Sequence, residues 1–257
     1  MQKCVILGQI ILYQRNTMQK HNNFYQHIKK IGIITYQAPH LKTEQVLERL
    51  LAIYGGGDMI VIYALPFTKR EERVVLFAHR PHQSEAISAE EIAQKYHLAY
   101  KSCLSDEDID NECDVYIIAG CGILSQQCLK GKKILNAHPG MIPTARGLDA
   151  FKWAILQDKP LGVTLHYIDE KIDEGEIIAI IPTPIYPSDT LHTLARRHYE
   201  NEIATLSNFE TYLQNPCNDF THLAYDASTK RMNLAQEKAM MEHFWEYKEK
   251  FKDKKSK

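Results

Sequence analysis

From Ile31 onward the chain alternates short apolar runs with stretches of helical periodicity. Ile31 to Tyr36 (IGIITY) is an almost unbroken apolar run, the mark of a strand covered on both faces. Thr43 to Ile53 carries Val46, Leu47, Leu50 and Leu51 at helical spacing, with Thr43 placed to cap, and the segment GGGD ends it. Met59 to Tyr63 (MIVIY) reads as a second buried strand, so the chain opens strand, helix, strand. Val74 to Phe77 reads as a short strand, and Ser88 to His97 opens with a capping box and reads as a helix. Asp114 to Ala119, Lys133 to Asn136, Gly162 to Ile168 and Ile177 to Ile181 read as further strands. A helix capped by Asp149 is expected, with Phe151, Ala154 and Ile155 on one face, and another over Asp189 to Leu213. Pro216 to Asp226 reads as a linker and Thr229 to Phe251 as a last helix before a lysine-rich tail.

This alternation predicts an α/β fold with an open, mostly parallel, Rossmann-like sheet and a short C-terminal helical extension. Residues 1–30 form an unassigned N-terminal extension, residues 31–213 the main domain, and residues 214–257 a linker and helix. In such sheets ligands bind beyond the carboxyl ends of the strands. The loops to search therefore follow Tyr36, Tyr63, Ala119, Asn136 and Ile168.

Composition narrows the class. The 257 residues carry 31 Lys and Arg against 32 Asp and Glu, which argues against the nucleic-acid backbone as the main partner. Cysteines 4, 103, 113, 121, 128 and 217 form no C-x-x-C pair and no zinc spacing, so they read as reduced thiols of a cytoplasmic protein, and no metal is expected. The apolar run Cys4 to Tyr13 is about half the ~20 residues of a membrane span. No small-residue cleavage site follows it, so neither membrane insertion nor a signal peptide is expected. Met18 is a second candidate start.

The chemistry concentrates in Ile134 to Ile181. Asn136 and His138 lie two residues apart where a strand ends, so both side chains project to one face. Asp173 follows in a later loop, with Gly175 marking a turn. An amide donor, an imidazole and a carboxylate at neighbouring loop positions form an acyl-transfer set. The amide holds an oxyanion, the imidazole donates to it or moves protons, and the carboxylate orients the ring. Singly, each of these residues is equally at home in a turn or a core.

The segments LNAHPGMIP, Arg146-Gly147, KWAI and GVTLHYIDEKIDEGEII, preceded by IIAGCGILSQQCLKGKK, together resemble the folate-dependent formyltransferases. That family includes glycinamide ribonucleotide, methionyl-tRNA and sugar-amine formyltransferases. The resemblance implies 10-formyltetrahydrofolate as formyl donor and Asn136, His138 and Asp173 as catalytic residues. It implies a pteridine pocket formed by Gly120, Cys121, Gly122, Ile123 and Leu124 together with Asp169, Glu170, Lys171 and Ile172. Thr164 and His166 are expected to support this region, His166 equally as a buried hydrogen-bonded core residue. The implied acceptor is a small-molecule amine, and a homodimer is a possible assembly.

Departures from the family pattern bear on the acceptor. The first loop, TYQAPHLKT, has no glycine, which disfavours glycinamide ribonucleotide, although Lys42 and Thr43 remain candidates to meet a phosphate. Only 44 residues follow Leu213, too few for the C-terminal barrel of the methionyl-tRNA branch. The segment PFTKREERVVLFAHRP, with Lys69, Arg70, Arg73 and Arg80, reads either as a solvated charged face or as a phosphate grip, and Arg146 is a further candidate. A phosphorylated or nucleotide-linked amino sugar fits best. The alternatives are a formyltetrahydrofolate hydrolase, whose relatives carry an N-terminal regulatory domain that thirty residues cannot make, and a non-catalytic folate-binding protein.

Overall fold

The computed structural model describes residues 28–68, 73–170, 173–216 and 225–252. Lys69, Arg70, Lys171, Ile172, most of the expected linker and nearly all of the N-terminal extension lie outside them. Seven strands form one sheet: β1 (Ile31–Tyr36), β2 (Ile60–Leu65), β3 (Ala99–Ser102), β4 (Val115–Ile118), β5 (Ile134–His138), β6 (Gly162–Tyr167) and β7 (Ile177–Pro182). Their spatial order is β3-β2-β1-β4-β5-β6-β7. The first five are mutually parallel, whereas β6 runs antiparallel to β5 and β7 antiparallel to β6. The sheet is therefore open and mostly parallel. The order reverses between β1 and β4, which places the ligand-binding crevice of such a fold outside Tyr36 and Ile118.

The helices are α1 (Leu41–Tyr54), α2 (Ala89–Tyr96), α3 (Gln126–Leu129), α4 (Ala150–Leu156), α5 (Leu191–Ser207), α6 (Phe209–Gln214) and α7 (Leu234–Phe251). One core joins the sheet to α1, α5 and α6 through Ile31, Ile33, Val46, Leu50, Ile203 and Phe209. A second joins α4, α5 and α7 through Phe151, Ile155, Leu194, Met240 and Phe244. No helix among the described residues is long and apolar enough to cross a membrane.

Several local expectations change. His40, not Thr43, occupies the α1 N-cap, and Thr43 is buried with its hydroxyl between Thr35 (2.5 Å) and His40 (3.0 Å). The helix read as Asp189 to Leu213 breaks at Asn208 into α5 and α6. Asp149 does not cap α4 with its side chain; its backbone is left-handed (φ 54°) and its carboxylate accepts from the Met232 amide. Val74 to Phe77 is not a strand. Val74 is exposed, Phe77 is buried in the second core, and the Leu76 amide donates to Glu237 of α7 (2.6 Å). The last helix starts at Leu234, capped by Asn233, and residues 225–233 run instead beside the loop that follows β5. β3 had no strand signature because AYKS is a half-exposed edge strand with little apolar character.

Candidate active site

Asn136 and His166 are direct cross-strand partners in the β5–β6 ladder. The His166 Nδ1–H donates to the Tyr167 carbonyl (3.0 Å), which leaves Nε2 to accept from the Asn136 amide nitrogen (3.3 Å). This fixes the tautomer of the ring and the orientation of the amide together. Thr164, also on β6, accepts from the Ile142 amide (2.9 Å) and donates to the Gly140 carbonyl (2.7 Å), so it staples the turn leaving β5.

His138 closes β5 and is 4% exposed. Its Nδ1 faces Asp173 Oδ1 at 3.4 Å, and its Nε2 donates to the Ala145 carbonyl (2.9 Å). The second oxygen of Asp173 accepts from the Gly147 amide (3.0 Å). Burial pushes the His138 imidazolium down in pKa, and the Asp173 charge and the Ala145 carbonyl oppose that shift without cancelling it. Asp173 has a left-handed backbone (φ 53°). Gly175 is required there by close approach: a Cβ would lie 1.8 Å from the Tyr167 carbonyl oxygen.

Two cavities meet at Asn136. The first, about 210 Å³, is lined by Ile118, Leu124, Leu129 and Ile168 on its apolar side and by Gly122, Ile123, Asp169, Glu170 and Asp173 elsewhere. The second, about 230 Å³, lies at the β1–β4 crevice and is lined by Tyr36, His40, Lys42, Arg80, Gly120 and Glu202. Ile118, Cys121 and Asn136 belong to both. Gly120, expected with the pteridine group, thus lines the second cavity, where a Cβ would fall 2.6 Å from the His40 ring. Burial raises the Cys121 thiol to about 12, so on the shared wall it contributes a neutral thiol and little thiolate.

The cations expected to grip the acceptor separate into two groups. Lys42 and Arg80 line the second cavity, where both hold the buried Glu202 carboxylate (2.8 and 2.6 Å). Burial alone would raise the Glu202 pKa, but Arg80 and Lys42 overcome it and hold the group at about 2. The trio carries one net positive charge. Arg73 and Arg146 line neither cavity. Arg73 approaches Asp149 (4.0 Å), while Arg146 is bound to the Asp226 carbonyl, Glu174 and the Tyr225 ring. Thr43 is equally turned inward. Glu202 escaped the sequence reading, although it falls on the buried stripe of its helix with Leu194, Ala195, His198 and Leu206. A carboxylate at a core-facing position was the available signal.

Buried neutral histidines surround the site, and they set its acid stability. Burial lowers His198 to about 4, its Nε2 donating to the Pro139 carbonyl and its Nδ1 accepting from Thr183. Burial lowers His166 to about 4 as well. Between pH 6.5 and 4 the unfolded chain binds these protons and the folded chain does not, so stability is complete above about pH 6.5 and falls as pH falls. These two residues alone contribute about 3 kcal/mol per pH unit, and His40 and His79, lowered by burial to about 4 and about 3, steepen the slope in the same direction. Urea unfolding at intervals from pH 7.5 to 4.5 measures it. A flat profile above pH 5 would mean that these rings accept protons in the folded state.

A family model described as Formyl transferase matches residues 68–209, more than half of the chain. Phosphoribosylglycinamide formyltransferase of Bacillus subtilis is 41% identical over 73 residues, which are 28% of this chain and 37% of that protein. The trifunctional purine biosynthetic protein adenosine-3 of Chironomus tentans is 33% identical over 111 residues, 41% of this chain and 8% of that protein. The chain thus spans well under two thirds of these relatives. Among solved structures, a sugar N-formyltransferase from a Shewanella species superposes with a TM-score of 0.54 at 17% identity, covering 85% of this chain and 88% of that one. A sugar 3N-formyl transferase solved with dTDP and 5-N-formyl-THF superposes with a TM-score of 0.57 at 21% identity, covering 86% and 81%. These two share the fold. With the family match covering the second cavity's Arg80, both strands that carry Asn136 and His166, and the loop of Asp173, the chain belongs to the formyl transferase family.

Proposed function

We propose that this protein is an N-formyltransferase that moves a formyl group from 10-formyltetrahydrofolate to the primary amine of a small phosphorylated or nucleotide-linked acceptor, with an amino sugar as the favoured class. The observation that carries the reading is the position of Asn136 on the wall shared by two cavities of unlike character. The first cavity suits the folate. Its apolar walls match a flat heteroaromatic ring, and its carboxylates and loop backbone match the ring's donor edge. The second cavity, with its net positive charge, suits an anionic acceptor.

The folate supplies the formyl group; the chain's own residues supply position, charge and proton transfer. The amine nitrogen bonds to the formyl carbon and the bond from that carbon to N10 breaks. The proton that leaves the attacking nitrogen is passed to the Asp173–His138 pair and returned through water to N10 as its bond to carbon breaks. The Asn136 amide, oriented by His166, donates to the formyl oxygen as negative charge develops on it. Asp173 takes the amine proton through water. His138 shares that proton across its 3.4 Å contact and its imidazolium adds positive charge behind the site. His198, Thr164 and the Ala145 carbonyl keep the loop around His138 in place.

Two outcomes test the assignment of the cavities. 5-Formyltetrahydrofolate should stabilise the fold by about 2.7 kcal/mol at a hundredfold excess over its Kd, read as a raised Tm. An unchanged Tm at millimolar ligand contradicts the donor cavity. Arg80→Ala should raise the acceptor KM about 10- to 100-fold, the worth of a charged hydrogen bond, and leave the folate KM within twofold. Equal effects on both substrates would remove Arg80 from the acceptor cavity.

A further inference from the structure

The loop that follows β5 supplies both fixed partners of the His138–Asp173 pair: the Ala145 carbonyl on His138 and the Gly147 amide on Asp173. Within the loop the Ala145 amide donates to the Met141 carbonyl (2.9 Å), which holds the first of these groups. The C-terminal segment holds the second. Thr229 forms a parallel bridge with Gly147, its amide donating to the Arg146 carbonyl (2.9 Å) and its carbonyl accepting from the Leu148 amide (2.9 Å). Its single hydroxyl proton has two acceptors within reach, the Arg146 carbonyl (2.7 Å) and the Leu148 carbonyl (2.8 Å), one on each side of Gly147, and is shared between them. Gly147 is left-handed (φ 87°), and a Cβ there would strike the Thr229 carbonyl oxygen at 2.4 Å. The same segment is tied at Asp226, whose amide donates to Pro143 (3.1 Å) and whose carbonyl accepts from Arg146 (3.0 Å). It is tied again where the Met232 amide meets Asp149 (3.0 Å) and the Trp153 indole meets the Lys230 carbonyl (2.6 Å).

We infer that Thr229 is a positioning residue of the active site, and that residues 225–233 form a strap without which the His138–Asp173 pair loses its register. The inference rests on the formyl-transfer reading above for its kinetic consequence and on geometry alone for its structural one. The strap lies beyond the stretch matched by the family model, which ends at residue 209. It therefore makes the C-terminal segment part of the catalytic apparatus and not a solvated appendage. Displacement of catalytic groups by about 1 Å costs on the order of 10²-fold in rate. The strap acts on kcat, because neither Thr229 nor Gly147 lines the donor or acceptor cavity.

The test compares Thr229→Val, Thr229→Ser and Gly147→Ala in the full chain, with two readouts. The first is steady-state kinetics of formyl transfer. Thr229→Val and Gly147→Ala should lose about 10- to 100-fold in kcat with both KM values within about twofold, and Thr229→Ser should keep at least half of the parent kcat because it keeps the hydroxyl. The second is amide hydrogen exchange at Gly147, whose bond to Asp173 (3.0 Å) should make it slow in the parent and which should accelerate at least tenfold in Thr229→Val with Tm little changed. Parent-like exchange and parent-like kcat in Thr229→Val overturn the strap. Equal kcat loss in Thr229→Val and Thr229→Ser also overturns it, since the hydroxyl would then be irrelevant. Accelerated exchange in a protein that transfers no formyl group to any amine sustains the strap and removes the function instead.

Discussion

Asp173→Asn should lower kcat by about 10²- to 10⁴-fold, the range for loss of a positioned acid or base, with folate still bound. The substitution preserves the side-chain shape. Its amide oxygen can still accept from the Gly147 amide, as Asp173 Oδ2 does at 3.0 Å. What disappears is the charge opposite His138 Nδ1. Without it, burial of the ring is opposed only by the Ala145 carbonyl and the more weakly acting Glu202, so the imidazolium is disfavoured further during the reaction. His138→Ala should give a similar loss, and the double variant should be no worse than the more damaged single one, because the two groups act as a unit. Asn136→Ala should cost about 10²- to 10³-fold, the effect of one oxyanion donor. Steady-state kinetics with the folate Kd measured separately reads all four. Near-parent turnover in Asp173→Asn would make Asp173 a turn residue.

The second large effect concerns stability, not chemistry. Lys152 of α4 and Glu237 of α7 form an ion pair at 2.6 Å with side-chain exposures of 2% and 0%. Glu237 also receives the Leu76 amide, so one carboxylate ties α4, α7 and the segment leading to Arg80. Removing one partner of such a pair leaves an uncompensated buried charge and costs about 3–5 kcal/mol. Lys152→Met should therefore lower Tm by about 6–20 °C for a chain of this size. The double variant Lys152→Met, Glu237→Leu should recover much of the loss, less the bond to Leu76, because a well-packed apolar pair replaces the ionic one. Differential scanning calorimetry of the three proteins decides. A loss under 1 kcal/mol in Lys152→Met would mean that Glu237 reaches water or another cation.

The sheet was legible because its central strands are covered on both faces and so read as unbroken apolar runs, IGIITY and MIVIY among them. The edge strand β3 was not, since AYKS faces solvent and lacks that signature. Asn136, His138 and Asp173 were legible as a set because strand alternation and a familiar order of motifs point to the same loops. The surroundings of the set were not. Glu202, Lys152 and Glu237 all stand as charges on apolar helical stripes, and sequence spacing exposes that anomaly without saying which charge meets which. The pairings span 85 to 160 positions, Lys152 with Glu237 and Lys42 with Glu202, and depend on how helices cross the sheet. For the same reason Arg146 looked like an acceptor grip from its neighbourhood in sequence, whereas its guanidinium is bound to Glu174 and the Asp226 carbonyl. The extended strap at residues 225–233 was read partly as linker and partly as helix, because its order comes from long-range backbone pairing with residues 146–148 and not from any local pattern.

In the proposed reaction a formyl group crosses from one cavity to the other past Asn136. The most direct measurement follows a ¹³C-labelled formyl carbon by NMR after 10-formyltetrahydrofolate is mixed with the protein and, in separate tubes, with glucosamine, glucosamine 6-phosphate and nucleoside-diphosphate-linked amino sugars. The label should appear as a formamide on a phosphorylated or nucleotide-linked amine, faster than on glucosamine, and Asp173→Asn should abolish the signal on the same timescale. Label appearing as free formate at a rate independent of amine, or remaining on the folate with every amine, would contradict the proposed reaction.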